Sequence, residues 1–321
     1  PDSVLPYSQS HQRQATEYGR AALTGKVRLS HTELKVGEHR PTLPVAFLDD
    51  SRQLVTTFHG AVLTSNEVDK LTLTGGRFSE ISTRESSNRE KMYLFTRPNG
   101  PRHTSDGLNF GGATYAFSPN LSTSYFYGQL EDIYQQHYLG LTLNSELGYG
   151  YLLKTDLRYF NNAEDGKALY GNIDNRSYGA MTTLRKGGHG FGVGYQRMLG
   201  DSTFPTLNGF APQPYLVNWS AVAFIKPNER SWQARYDYDF AALDLPGLTL
   251  TTRYLRGSGI DRGAHLSDSA ESERDLFLAY VVQSGPLKGL GMEWRNIYAR
   301  FQHGNDYDEN RLMTTYTWTF W

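Results

Sequence analysis

The chain contains no cysteine in 321 residues, which removes disulfides, thiolate nucleophiles and cysteine-ligated zinc together. It also lacks any stretch near the roughly 18 consecutive apolar residues that carry a helix across a bilayer, so a helical membrane protein is excluded. No basic-then-apolar secretory leader stands at the N-terminus, which begins at Pro1. Excess charge of one sign is missing too. With 32 basic and 33 acidic residues the net charge is -1, and no overall field attracts nucleic acid. Aliphatic residues are scarce: the hydrophobic share is 38% and the mean hydropathy -0.55, low for a chain that must fill an ordinary core.

What the chain has instead is rings. Its 22 Tyr, 16 Phe and 5 Trp make 13% of the residues. Disorder calls for few aromatics and a large net charge, so a folded protein is expected despite 32 Gly and 13 Pro.

Helical stripes are hard to find, whereas two-residue alternation recurs through most of the length and predicts β-strands. From Ser231 to Phe240 one face reads Trp232, Ala234, Tyr236, Tyr238 and Phe240, and the other Ser231, Gln233, Arg235, Asp237 and Asp239. Lys154, Asp156 and Arg158 likewise share one face, and Leu312, Tyr316, Trp318 and Phe320 recur through the last strand. Strands are expected at 25–31, 33–39, 57–66, 69–78, 107–117, 121–132, 135–144, 148–160, 176–185, 189–199, 230–240, 247–256, 273–283, 289–301 and 311–321.

Some connections are tight, at 118–120, 186–188, 245–247 and 285–288, with Gly or Pro where the chain reverses. Others are long and polar: 40–56, 79–106, 161–175, 200–229 and 257–272. Short and long largely alternate, which points to an all-β fold, a transmembrane antiparallel β-barrel with short periplasmic turns and longer external loops. The low hydrophobicity then has a cause: apolar side chains face lipid, the lumen is wet, and Tyr and Trp collect at the interfaces. A soluble sandwich or up-and-down barrel with its ionic face outward is the alternative, disfavoured by Tyr- and Phe-rich faces with so few aliphatics. Bacterial single-chain barrels have even strand numbers. About fifteen strands therefore imply an odd number before Pro1, and 1–321 reads as one barrel domain that is N-terminally incomplete, with residues 1–20 as a loop.

Six blocks in order carry a resemblance. They are Gly25-Lys26-Val27-Arg28-Leu29-Ser30; Leu34 to Glu38 followed by Pro41-Thr42-Leu43-Pro44-Val45; Gly75-Gly76-Arg77-Phe78; Leu130-Glu131-Asp132-Ile133-Tyr134; Ser231 to Tyr236; and Tyr280 to Pro286. Together they resemble the OprD family of outer-membrane carboxylate channels, the Occ porins, from about Gly19 to the C-terminus. The resemblance implies a monomeric eighteen-stranded barrel in a Gram-negative outer membrane, with the Lys26 block similar to the family's fourth strand. It further implies that 40–56 is an inward-folded constriction loop and 200–229 a second pore-lining loop, and that substrates move along a ladder of basic side chains.

Carried over residue by residue, Arg52 in Asp49-Asp50-Ser51-Arg52 matches the constriction arginine, with Asp49 and Asp50 beside it as an opposed-charge eyelet. Tyr215 and Asn218 are the candidate substrate contacts of the second loop. Lys26, Arg28, Arg235, Arg295 and Arg311 fall on family-like strand motifs, while Arg158 and Arg253 join the ladder from alternation alone. A carboxylate leaving water needs a charged partner, and arginine meets it with a planar two-pronged fork. Conduction further requires several weak sites rather than one tight one. Each rung also has a structural reading, because Arg235 has Asp237 on its face, Arg158 has Asp156 and Arg295 has Glu293.

The 210–219 segment carries no acid, which sets it apart from family members that take basic amino acids and resembles the branch for aromatic, cyclic or other monocarboxylates. Asp49 and Asp50 keep basic amino acids open. The nine His show no repeated metal spacing, no nucleophile elbow is present, and the glycines after Lys186 read as a turn and smooth wall rather than a phosphate loop. No catalytic residue, metal or cofactor is expected. The leading expectation is a passive channel for small carboxylates rather than an enzyme, a monomer or weak trimer whose other partners are outer-membrane lipids and lipopolysaccharide. The competing readings are a barrel lipase or protease and a plugged structural barrel.

Overall fold

The computed structural model describes residues 7–8, 13–14, 19–51, 54–84, 86–96, 100–208 and 215–318. Fifteen strands form one antiparallel sheet in which each strand pairs with its neighbours in the chain. They are β1 (Thr24–Leu29), β2 (Thr32–His39), β3 (Thr57–Ser65), β4 (Leu71–Ser82), β5 (Leu108–Ser118), β6 (Leu121–Leu130), β7 (Tyr134–Gly148) and β8 (Tyr151–Glu164), followed by β9 (Asp174–Lys186), β10 (His189–Leu199), β11 (Arg230–Asp239), β12 (Leu248–Ile260), β13 (Ser269–Val281), β14 (Gly291–Phe301) and β15 (Tyr307–Thr315). Two short pairs lie outside this sheet: Tyr7–Ser8 with Arg13–Gln14, inside the stretch read as a loop, and Thr42–Leu43 with Ala46–Phe47. No α-helix occurs among the described residues; a single 3-10 turn, Phe240–Leu243, is capped by the Asp239 side chain.

Alternation places the strands where it was expected to, but their ends move. The final strand was expected at 311–321 and is observed at Tyr307–Thr315, because Thr315 pairs with Gly291, the first residue of β14, and the ladder stops there. At the β7–β8 reversal the chain turns through Gly148, Tyr149 and Gly150, all with positive φ, a left-handed run that glycine accepts without strain.

Burial is inverted relative to a soluble protein. Val193 and Phe191 are 68% and 56% exposed, while Glu273 and Asp275 are fully buried. Strands such as β10 and β13 thus have a bare face and a covered face, the arrangement of a barrel wall in lipid.

The chain divides into two compact units. The first comprises Pro1–Leu141, Tyr159–Arg176 and Gly200–Tyr215. Its covered face is aromatic: Phe58, Phe78, Tyr138 and Phe160 are fully buried, with Phe78 4.8 Å from Phe110 and Phe160 edge-on to Phe204 at 5.0 Å. The second unit comprises Thr142–Arg158, Ser177–Leu199 and Leu216–Trp321, and its covered face is largely polar. A small apolar cluster of Val222, Phe224, Leu255 and Ala299 sits among those polar groups.

Candidate functional site

In the first unit, Thr42–Leu43 and Ala46–Phe47, within the segment expected to constrict the pore, form a short hairpin with Pro44 and Val45 at its tip. Val45 and Ala46 are buried, and a side chain at Gly128 would meet Val45 at 2.7 Å, so the hairpin lies directly on the covered face of β6. Tyr215 holds the same hairpin: its hydroxyl donates to the Thr42 carbonyl at 2.5 Å, and its ring packs edge-on against Tyr138 at 5.4 Å. Asp49 is 2% exposed, pairs with Arg84 at 3.0 Å and accepts from the Ser51 amide at 2.8 Å. That is a correction to the eyelet expected from the sequence, because the Asp49 carboxylate is taken up by Arg84, just beyond β4, and only Asp50 of the two acids is exposed. Arg52 lies outside the described residues.

Lys26 and Arg28 are exposed on β1, where Lys26 pairs with Lys35 and Arg28 with Glu33 across to β2. Glu33 bonds both Arg28 and Lys35, at 3.0 Å and 2.6 Å.

In the second unit the arginines fall into register. Arg235 of β11 stands directly opposite Arg253 of β12, and Arg295 of β14 directly opposite Arg311 of β15. Between these pairs lies β13, whose Asp275 faces Arg253 and whose Phe277 faces Arg295. Both guanidinium groups approach the Phe277 ring, Arg253 at 5.4 Å and Arg295 at 5.2 Å from its centre, a cation–π geometry. Each arginine also has a carboxylate: Asp237 for Arg235 at 2.8 Å, Asp275 for Arg253 at 2.5 Å, Glu293 for Arg295 at 2.8 Å and Glu309 for Arg311 at 2.6 Å. These bonds use Nε and Nη2, and Nη1 of each has no protein partner among the described residues. Arg158 is tied similarly to Asp156 at 2.9 Å, which also takes Lys154 at 3.0 Å and the Thr142 hydroxyl at 2.7 Å.

Segment 216–229 is fastened to this wall by carboxylates and amides. Asn218 is fully buried, accepting from Gln233 at 2.8 Å and donating to Ser231 at 3.2 Å, while its amide N–H donates to Gln196 at 3.2 Å. It is therefore an anchor rather than an exposed substrate contact. The close approach needs a bare wall: a side chain at Gly194 would meet the Asn218 oxygen at 2.7 Å. Ser220 donates to Asp275 at 2.7 Å, the Ala221 and Val222 amides donate to Glu273 at 3.1 Å and 2.6 Å, and Lys226 bonds Glu271. Glu229 accepts from the Lys226 amide at 3.1 Å. Burial, reinforced by the neighbouring Glu271 charge, pushes the Glu229 carboxyl up to about 8.

The sequence reading missed these anchors. Glu271, Glu273 and Asp275 recur at a two-residue interval, so they share one face of a strand, and that spacing was the available signal. Phe277 continues the same face.

Comparison with known proteins places the chain. The family model described as outer membrane porin, OprD family, matches residues 1–320. The chain belongs to the OprD family. Porin-like protein GalP of Pseudomonas putida is 41% identical over 307 residues, covering 95% of this chain and 72% of that protein. The crystal structure of Pseudomonas aeruginosa OpdL is 53% identical with a TM-score of 0.89, over 94% of this chain and 82% of that one. The crystal structure of Pseudomonas aeruginosa OpdK with vanillate is 35% identical with a TM-score of 0.93, over 98% and 82%. The OprD-family chain is thus a transmembrane β-barrel of the Gram-negative outer membrane, a porin through which small molecules pass, and its relatives are channels rather than enzymes.

Proposed function

We propose that this porin is selective for small carboxylates, which descend a wall of arginines, with aromatic monocarboxylates favoured over basic amino acids. The observation that carries the reading is the register of the second unit: Arg235 beside Arg253, Arg295 beside Arg311, and Phe277 between the pairs. Each guanidinium is held by a carboxylate through one edge, which fixes its position, while Nη1 remains for a passing anion. Sharing each arginine with a carboxylate weakens its hold on an anion without abolishing it, in keeping with the several weak sites that conduction requires. Phe277 offers an apolar surface suited to an aromatic ring, in keeping with OpdK having been crystallised with vanillate, an aromatic carboxylate. Arg158 adds to the basic side chains of the second unit, and Lys26 and Arg28 are the basic side chains of β1 in the first. The segment 40–56, with Arg52 and Asp50, and the segment 200–229, clamped by Tyr215 and Asn218, are the two constricting elements.

The test is planar-bilayer recording in benzoate and in a basic amino acid at equal concentration. The expected outcome is a benzoate-selective current that saturates. A closed protein, or equal passage of both solutes, would overturn the reading.

A further inference from the structure

The bare face of the second unit carries arginines that the pore does not use. Arg230 on β11, Arg256 on β12 and Arg274 on β13 are all exposed, and each alternates with the lipid-side residues of its strand. Arg230 pairs with Ser258, and Arg256 lies two residues from it; Arg256 pairs with Ser272, and Arg274 lies two residues from that. The three therefore form one diagonal row across three adjacent strands, a stagger that suits tilted barrel strands.

An arginine facing lipid at the bilayer midplane costs about 2–4 kcal/mol and much less near the headgroups. Three in a row on the bare face must therefore lie at an interface, and their neighbours agree. Trp232 pairs with Arg256 and packs on Tyr254 at 5.5 Å, Tyr254 pairs with Arg274, and the Arg274 guanidinium sits 4.3 Å from the centre of the Tyr298 ring. Trp and Tyr rings mark that interfacial level. The side is fixed by the loops: Arg230 directly follows the long 200–229 connection, and β12 and β13 meet at the same end of the sheet through 261–268. Long connections of such barrels are external.

The pairing differs from that of the pore wall. Arg235, Arg253, Arg295 and Arg311 each hold a carboxylate, whereas among the described residues none lies within ion-pair distance of Arg230, Arg256 or Arg274. The only hydrogen bond from the row to another side chain among those residues runs from Arg274 to Asn296, at 2.7 Å.

We propose that this row binds the phosphate groups of the phosphorylated glycolipid of the outer leaflet. Phosphate monoesters match the planar donor fork of arginine, and the aromatic residues beside the row supply contact for the sugar and the first methylenes of the acyl chains. The site is separate from the conduction pathway because its side chains point to the opposite face of the same strands.

The experiment measures retention of lipid A on the purified porin by native mass spectrometry, against the same lipid stripped of its phosphates, with phosphatidylglycerol and inorganic phosphate as further arms. The unmodified porin is expected to retain phosphorylated lipid A at least about tenfold better than the stripped form, and the R230Q/R256Q/R274Q variant to lose that preference while its benzoate current stays unchanged. Equal retention of the two lipid A forms, equal retention of phosphatidylglycerol, displacement by an equal concentration of inorganic phosphate, or an unaltered preference in the variant would each overturn the proposal. Should the triple variant fail to fold, the lipid comparison on the unmodified porin decides alone.

Discussion

Two pore-side segments are fastened by opposite chemistries. In the first unit the 42–47 hairpin rests on rings and small apolar side chains, with Val45 against Gly128 and Tyr215 against Tyr138. In the second, 216–229 hangs from carboxylates and amides: Asp275, Glu273, Glu271, Gln196 and Gln233. Apolar packing carries no titrating group and no directional bond. A carboxylate scaffold is directional, so it holds a segment at fixed height, but it responds to protonation and fails sharply when one partner is removed. Asp275, which accepts from Ser220 of that segment, also holds Arg253, so in that unit loop anchoring and pore charge meet in one carboxylate.

The largest effect is expected from Phe204→Ala in the first unit. Phe204 is 1% exposed and edge-on to Phe160, and its loss should lower stability by about 4 kcal/mol in guanidinium unfolding. Asp275→Asn in the second unit strands the Arg253 guanidinium and weakens the Ser220 bond, for an expected loss of about 3 kcal/mol by the same measurement together with altered conductance. Phe204→Ala should leave ion selectivity near that of the unmodified porin. Asp49→Asn, which weakens the ion pair tying the first loop to Arg84, should cost about 2 kcal/mol and leave hydrogen exchange in 216–229 unchanged.

The mildest probe is pH. The Glu229 carboxyl is raised to about 8 in the folded protein, above its ordinary value, so the folded state holds a proton that the unfolded state gives up earlier. The stabilisation is complete below the ordinary carboxylate range and fades as pH climbs toward 8. The protection factors of amides in 216–229, measured against the intrinsic exchange rate at each pH, should therefore fall a few-fold or more between about pH 6 and about pH 9, those of 42–47 should stay level, and Glu229→Gln should erase the difference.

Much of this was legible in the sequence, for identifiable reasons. Alternation fixes which face a side chain takes, so Arg253 and Arg158 could be placed on a polar face without coordinates, as could the bare face of Trp232 and Tyr236, whereas Arg235, Arg295 and Arg311 are picked out by the family-like strand motifs they fall on. What alternation cannot supply is register between distant strands or the partner of a loop residue. Asp49 looked like an eyelet charge because Arg84 is 35 residues away in the chain, and Asn218 looked like a substrate contact because nothing local shows that it turns into Gln196, Ser231 and Gln233. The end of β15 was misplaced for the same reason: its alternation continues past Thr315, but its partner strand does not.

The central claim is that the arginines of the second unit select the permeating anion. Its most direct test is the zero-current potential across a bilayer under a sodium benzoate gradient, for the unmodified porin and for Arg253→Gln/Arg295→Gln, which keeps a polar side chain at each position but removes both charges beside Phe277. The account predicts a potential of anion-selective sign that collapses toward zero, or reverses, in the variant. An unchanged potential would contradict it.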